Sequence, residues 1–318
     1  NQPLVDSPIK GTAFRLNLMG QDGGIPGRDR AEENRWGVAP SLALGLGTPT
    51  RAFISYQHQY EHNLPDYGLP STAVAGLAPP ATPTAPTFYS PGVNPANYYG
   101  FANYDYEHVT NDAVTVRIEH DLTPAVTLSN QIRYDQTSRQ IEASAPSGSV
   151  TAAPAGQAAI SQGIYQTRNE IISNQTNLTA NFLTGPLAHA LTSGVELSRE
   201  TSDNPIWSLV PLGVANPNTL IDIYHPDNFP VALLNYDPHL TGSATNTRIN
   251  TLALYAFDTV KLDRFWELIG GFRLEQYDVN ELSITAASPA IAATTGSPAT
   301  ATTPATAPAK AVAAVPAS

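Results

Sequence analysis

Three sets of residues in this chain are of types that do chemistry. The first is His58-Gln-Tyr-Glu-His62, which matches the H-x-x-E-H pattern of inverted zincins. That chemistry needs a helix, where residues four apart share a face and both imidazoles reach one metal. The surrounding Phe53 to His62 reads as a strand leading into the turn Asn63-Leu-Pro-Asp-Tyr-Gly68. On a strand the two histidines stand ~13 Å apart, too far to share a zinc ion. The second set is aromatic and basic. Phe88, Tyr89, Tyr98, Tyr99, Phe101, Tyr104 and Tyr106 crowd one excursion, and Arg28, Arg30 and Arg35 lie in or beside another. Arginine with tyrosine or tryptophan suits a flat aromatic anion through charge, hydrogen bonding and cation–π contact. Tyr67, Trp207 and Tyr224 join this candidate set, and the competing role for any one tyrosine is an interfacial girdle or loop-to-loop packing. The third set is Asp121, Asp135, Glu267 and Glu275, which read as carboxylates facing water or another part of the protein rather than as an acid/base pair.

The elements that position these residues are strands. Apolar residues recur at period two, as in Val114, Val116 and Ile118 against Thr115, Arg117 and Glu119. Val126, Leu128, Ile132 and Tyr134 alternate with Thr127, Ser129, Gln131, Arg133 and Asp135, and the stretches around Trp36 to Leu46 and Trp266 to Leu274 behave alike. The polar face carries charges and small residues, as a wet interior would.

Connections alternate between short and long. Thr48-Pro49-Thr50, Thr123-Pro124-Ala125, Thr184-Gly185-Pro186-Leu187 and Asp263-Arg264 are tight turns by composition. Between them run Pro/Gly/Asn-rich excursions at roughly 20–34, 63–110, 144–164 and 203–246. Long loops at one end and short turns at the other describe a transmembrane barrel with short periplasmic turns. Strands from Val126 to about Ala143 and from Tyr165 to about Leu183 exceed the ~9–11 residues that cross a bilayer, so they run on above it. The fold class is thus all-β, a transmembrane antiparallel barrel of about nine strands. That odd count, and a start that already reads as a strand without a basic n-region, lead to the expectation of a sheet cut from a larger barrel. Residues 1–283 form this partial barrel, and 284–318 form an Ala/Pro/Thr-rich low-complexity tail expected to be disordered.

Composition narrows the partners. Of 318 residues, 42% are hydrophobic and 14% charged, too apolar for disorder. Cysteine is absent, which removes disulfides and thiolate chemistry and suits a Gram-negative envelope protein. A net charge of −11 without a basic cluster argues against nucleic acid as a partner. No run approaches the ~18 apolar residues of a membrane-spanning helix. Gly20 to Gly27 is glycine-rich without a following helix and makes no phosphate cradle. Asn174-Gln-Thr176 and Asn177-Leu-Thr179 read as polar ladder residues rather than glycosylation sites.

Several stretches, in their order, resemble TonB-dependent outer-membrane receptors for catecholate-type siderophores. They are Phe14-Arg-Leu-Asn-Leu-Met19, Gly27-Arg-Asp29, Arg35-Trp-Gly-Val-Ala-Pro-Ser41, Gly45-Leu-Gly-Thr-Pro-Thr-Arg51, Leu64-Pro-Asp-Tyr-Gly-Leu-Pro70, Val114-Thr-Val-Arg-Ile-Glu-His-Asp-Leu122 and Leu254-Tyr-Ala-Phe-Asp258. The resemblance implies a barrel of about 22 strands with a plug in its lumen, and neither a plug nor a TonB-binding segment is visible in this sequence. It implies a transporter in the bacterial outer membrane, not an enzyme, without a resident cofactor, whose partners are a ferric siderophore, TonB and outer-membrane lipid. On that reading the ligand residues are Arg28, Arg30, Arg35, Tyr67, Tyr89, Tyr98, Tyr99, Tyr104, Tyr106, Trp207 and Tyr224, and the iron stays wrapped in its siderophore. The competing readings are a passive porin, with a plug-free pore narrowed by an inward loop, and a secreted all-β binding or adhesion module.

Overall fold

The computed structural model describes residues 2–4, 6–70, 92–147, 156–211, 220–229 and 236–286. The expected tail falls almost wholly on 287–318, and Phe88 and Tyr89 on 71–91, all outside the described residues. The described elements are all β: β1 (Gln2–Pro3), β2 (Ala13–Gly24), β3 (Glu32–Leu44), β4 (Thr50–Leu64), β5 (Tyr106–Thr123), β6 (Val126–Ser147), β7 (Gln157–Thr184), β8 (Leu187–Pro211), β9 (Leu220–Asp222), β10 (Tyr236–Lys261) and β11 (Glu267–Ile284). They form one antiparallel sheet in the order β1-β2-β3-β4-β5-β6-β7-β8-β10-β11, with β9 paired to β7 off this path. Leaving out the very short β1 and β9, nine strands make the meander that the alternation predicts.

Register joins the apolar rows of separate strands into one continuous face. Leu42 lies opposite Ile54, Ile54 opposite Val116 and Val116 opposite Ile132. Leu197 meets Leu252, and Leu254 meets both Val195 and Leu274. Such a face, with large side chains left exposed along every strand, is what lipid covers in a transmembrane barrel. A charge near the middle of that band should therefore cost far more than one on the opposite face. Val116→Arg is expected to destabilise the intact barrel protein by about 2–4 kcal/mol, and the neighbouring Thr115→Arg by much less. Unfolding in detergent or lipid, followed by the gel mobility of the folded barrel, checks both; equal losses would refute the face assignment.

The opposite face is a ladder of ion pairs. Arg51 contacts Asp121 at 2.6 Å and Glu119 at 3.1 Å, and Arg133 reaches Asp135 at 2.5 Å. Arg273 bridges Glu196 and Glu275 at 3.1 and 2.8 Å, and Lys261 sits 3.4 Å from Glu267. Each carboxylate singled out from the sequence thus has a basic partner, which explains acidic residues facing the lumen without any proton-transfer role.

Short turns and long strands follow from local chemistry. Gly45 and Gly185 take positive φ at the two-sided turns, where a side chain would be strained. The upper ends run further than composition suggests. β6 continues to Ser147 and β7 begins at Gln157, so the expected excursion at 144–164 shrinks to 148–156. The excursion expected at 203–246 likewise contracts, because β8 reaches Pro211 and β10 starts at Tyr236. Cross-strand hydrogen bonding overrides the Pro/Gly/Ala content there, since edge ladders tolerate those residues.

Candidate functional site: a loop cap at the open end of the strands

Above the strands, three segments distant in sequence come together: the β2–β3 turn at 25–31, the loop 92–105 and the segment 220–229. β9 anchors the last of these by pairing Leu220, Ile221 and Asp222 with Ala159, Ala158 and Gln157 of β7. A small apolar core forms beneath them from Val93, Tyr99, Phe101, Ala158, Ile221 and Ile223, with Leu69, Tyr104 and Ile160 packed against it. Apart from these, polar side chains do the joining. Asn97 donates to the Tyr99 hydroxyl and to the carbonyls of Ile223 and Tyr224 at 3.2 to 3.4 Å. Asn228 donates to the carbonyls of Tyr98 and Gly100 at 2.7 and 3.1 Å, and its own carbonyl accepts from the Ala102 N–H.

Asp105 holds the loop to the sheet. It is almost fully buried, and it accepts from the Tyr98 hydroxyl at 3.1 Å, the Phe101 N–H at 2.9 Å and the Ser144 hydroxyl at 2.7 Å. Burial pushes its carboxyl up from 3.8 to about 6, against the pull of those three donors. Burial likewise raises the Tyr98 hydroxyl, and Asp105 beside it adds to the effect. Gly100 is required here, because a Cβ would collide with Asp105 Oδ2 and the Tyr98 ring. Asp222, by contrast, lies below the usual carboxylate range because it caps the N–H groups of Tyr224 and His225 at 2.7 and 3.0 Å.

The cap forms an open cavity of about 970 Å³ whose lining includes Arg30, Asn94, Tyr98, Tyr224, His225 and Asn228. Its polar lining and its volume suit a charged, drug-sized ligand. Arg30 is its cation. The residue sits at φ 62°, the left-handed region, with its guanidinium 4.6 Å above the Phe229 ring and its Nε donating to Asn228 Oδ1 at 3.1 Å. A non-glycine residue held there is a strained position that the surrounding contacts impose.

The structure divides the candidate ligand residues. Arg30 and Tyr224 line the cavity, with the Tyr224 ring 42% exposed. Tyr98 and Tyr99 are 1% exposed and pack within the cap, with Tyr98 also forming part of the cavity wall. Tyr104 packs against the same core. Arg28 is engaged by Asp66, with Nη2 donating to Oδ1 at 2.8 Å and Nε to Oδ2, and by the Pro95 carbonyl. It is a strut between loops rather than a free cation. Arg35 donates to Gln21 and Glu33 on the lumen register of β3. Tyr67 is 51% exposed above β4. Tyr106 and Trp207 fall on the register of the apolar face, Tyr106 tilted against His108 and Trp207 donating its indole N–H to Gln166 at 3.1 Å. Tyr89 lies outside the described residues. Sequence reasoning missed Asp105, Asn97, Asn228, Asp66 and Phe229; as single residues in aperiodic loops they carry no spacing signal.

The H-x-x-E-H motif lies on β4, as the alternation requires. Its histidines turn to β5 separately: His58 Nδ1 is 2.8 Å from Asp112 Oδ1, and His62 lies opposite His108. Asn174 exchanges amide hydrogen bonds with Asn130 at 3.1 Å, and Asn177 accepts from the Tyr255 hydroxyl, as ladder residues do.

Comparison with known proteins agrees with this architecture. The sequence profile of the TonB dependent receptor-like β-barrel matches residues 36–307. The catecholate siderophore receptor Fiu of Escherichia coli K12 is 36% identical over 297 residues, covering 90% of this chain and 37% of Fiu. The probable TonB-dependent siderophore receptor PiuA of Acinetobacter baumannii is 26% identical over 297 residues, 88% of this chain and 38% of PiuA. The chain therefore spans well under half the length of these relatives. The crystal structure of Fiu in its open form superposes with a TM-score of 0.73 at 32% identity, covering 91% of this chain and 43% of that one. That of PiuA superposes with a TM-score of 0.72 at 24% identity, which speaks to fold alone. A meander with lipid-facing and lumen-facing registers, matched over most of its length by this profile and by Fiu, establishes that the chain belongs to the TonB-dependent receptors and contributes strands of an outer-membrane β-barrel.

Proposed function

We propose that this chain is the ligand-capturing part of an active transporter that binds a ferric catecholate-type siderophore at the loop cap and passes it inward with energy delivered through TonB. The observation that carries this reading is the cap cavity, lined by Arg30 and Tyr224 among polar groups contributed by three loops, with the Arg30 guanidinium backed by the Phe229 ring. A ferric tris-catecholate is an anion with flat aromatic faces, so a guanidinium backed by rings complements both properties. Identity to a protein named as a catecholate siderophore receptor supports the same class of ligand. Iron is cargo here, held by the siderophore throughout. Residues 1–283 serve as the barrel portion and 284–318 as a separate Ala/Pro/Thr-rich tail, while TonB engages a plug or N-terminal segment elsewhere in the receptor.

The test is uptake of radioactive iron, supplied as the tris-catecholate, by cells whose only such receptor is the intact protein. Accumulation is expected to saturate and to stop when the proton-motive force is collapsed. Accumulation that persists without it would sink the active-transport reading in favour of a passive pore, and no accumulation above receptor-free cells would sink the ligand class.

A further inference from the structure

Of the two histidines in the H-x-x-E-H motif, His62 acquires a second imidazole from across the sheet. His62 of β4 and His108 of β5 are direct register partners. Their ring centroids are 4.7 Å apart at 31°, and His62 Nδ1 lies 2.6 Å from His108 Nε2. Two nitrogens at that separation share one proton, so at least one of them offers its lone pair along the line between the rings. A divalent cation can take the place of that proton. With metal–nitrogen bonds of about 2.0–2.1 Å, tetrahedral binding sets the two nitrogens about 3.3 Å apart. Reaching that separation needs less than ~1 Å of movement. His62 can supply it, being exposed and two residues from the end of β4. His108 is held more firmly. The Tyr106 ring packs against it, tilted by 33° with centroids 4.7 Å apart, and the Tyr106 hydroxyl accepts from Gln140 Nε2 at 2.9 Å, which limits how far the imidazole can turn.

We propose that His62 and His108 form a two-imidazole site for a divalent late first-row metal ion, with Cu²⁺ bound more tightly than Ni²⁺ or Zn²⁺. Imidazole nitrogen favours these ions, and their order of affinity sets copper first. Among the described residues no group of three or more His, Cys, Asp or Glu gathers around a common point, so the remaining positions belong to water and the site is open. The two ligands stand on the two stems of the connection from Pro65 to Asp105, which carries Asp66, Asn97 and Asp105 of the cap. A bound ion cross-links those stems.

The experiment uses the intact receptor, purified in detergent without a histidine tag, and Cu²⁺ alone as probe. Calorimetric titration and the nitrogen hyperfine splitting of the copper EPR spectrum are read for the wild type, His62→Gln, His108→Gln and His58→Gln. One saturable Cu²⁺ with two nitrogen ligands is expected for the wild type and His58→Gln, and loss of that binding for either of the other variants. Barrel mobility on gels and binding of ferric tris-catecholate show that each variant is folded, and they report on the transport reading separately. Copper binding that survives in folded His62→Gln and His108→Gln protein overturns the site, as does a wild type that takes up no saturable copper.

Discussion

Replacing Asp105 with alanine in the intact receptor is expected to open the loop cap and to weaken capture of ferric tris-catecholate more than any change of an exposed loop residue. The substitution removes a buried carboxylate and strands two donors, the Phe101 N–H and the Ser144 hydroxyl, while the Tyr98 hydroxyl is left with the Pro65 carbonyl alone. Each buried donor left unpaired costs about 1–3 kcal/mol, and the cap has only a small apolar core to offset the loss. Asp105→Asn behaves differently, because its amide oxygen still accepts from Phe101 and Tyr98 while its NH₂ donates to a Ser144 hydroxyl free to rotate. The pair of variants also separates charge from shape. Asp105 ionises at about 6 in the closed cap and near 3.8 once exposed, so the closed form holds its proton more tightly. Closure is therefore strongest below the exposed value, weakens as pH rises from 3.8 to about 6, and levels off above that. The difference is at most about 3 kcal/mol, or about two orders of magnitude in the opening equilibrium. Limited proteolysis or amide exchange of the loop at pH 5 and pH 7.5 reads this out. Wild type should be better protected at pH 5, Asp105→Asn equally protected at both, and Asp105→Ala poorly protected throughout. An Asp105→Ala cap as resistant as wild type would remove the carboxylate from the argument.

The barrel was legible in the sequence because its physics is periodic. Two faces, one toward lipid and one toward water, impose alternation on every strand, and nine strands, their order and their facing residues follow from it. What alternation does not carry is where a strand stops once it leaves the membrane. The stretch from Gln157 to Ile164 has no strand composition of its own, and becomes β7 because β6 lies alongside to accept its hydrogen bonds. β1 and β9 are too short for any period to register. The loops leave two readings open. The density of aromatics around Tyr98 and Tyr99 was visible, and aromatics in a loop suit either a ligand or a core. For Tyr99 the packing role depends on Ile221 and Ile223, more than a hundred residues later, arriving to cover it. The arginines show the same limit. Arg28 and Arg30 are indistinguishable by type and spacing, yet Asp66 engages one, while the other lines the cavity with its guanidinium over the Phe229 ring.

That contrast makes Arg30 the residue on which the ligand reading stands or falls. Arg30→Ala is expected to weaken binding of ferric tris-catecholate to the intact receptor by about 10–100-fold. This is the scale of one charge-assisted hydrogen bond together with a cation–π contact, at about 1.4 kcal/mol per factor of ten. Alanine, however, also changes the backbone, since position 30 sits at φ 62°, which disfavours any residue with a Cβ. Arg30→Gly removes the side chain at a position where glycine is at ease, so it should leave the β2–β3 turn intact while losing the same affinity. Arg30→Lys keeps the charge but not the planar group that stacks on Phe229, and should fall between wild type and glycine. Fluorescence titration with the ferric complex, alongside proteolysis of the cap, distinguishes the two effects. A glycine variant that keeps both the cap and wild-type affinity would show that the cavity is not where the ligand's charge is met. A glycine variant that keeps the cap and loses the ligand would place the anion at Arg30, with Arg28 left as the strut that holds the wall behind it.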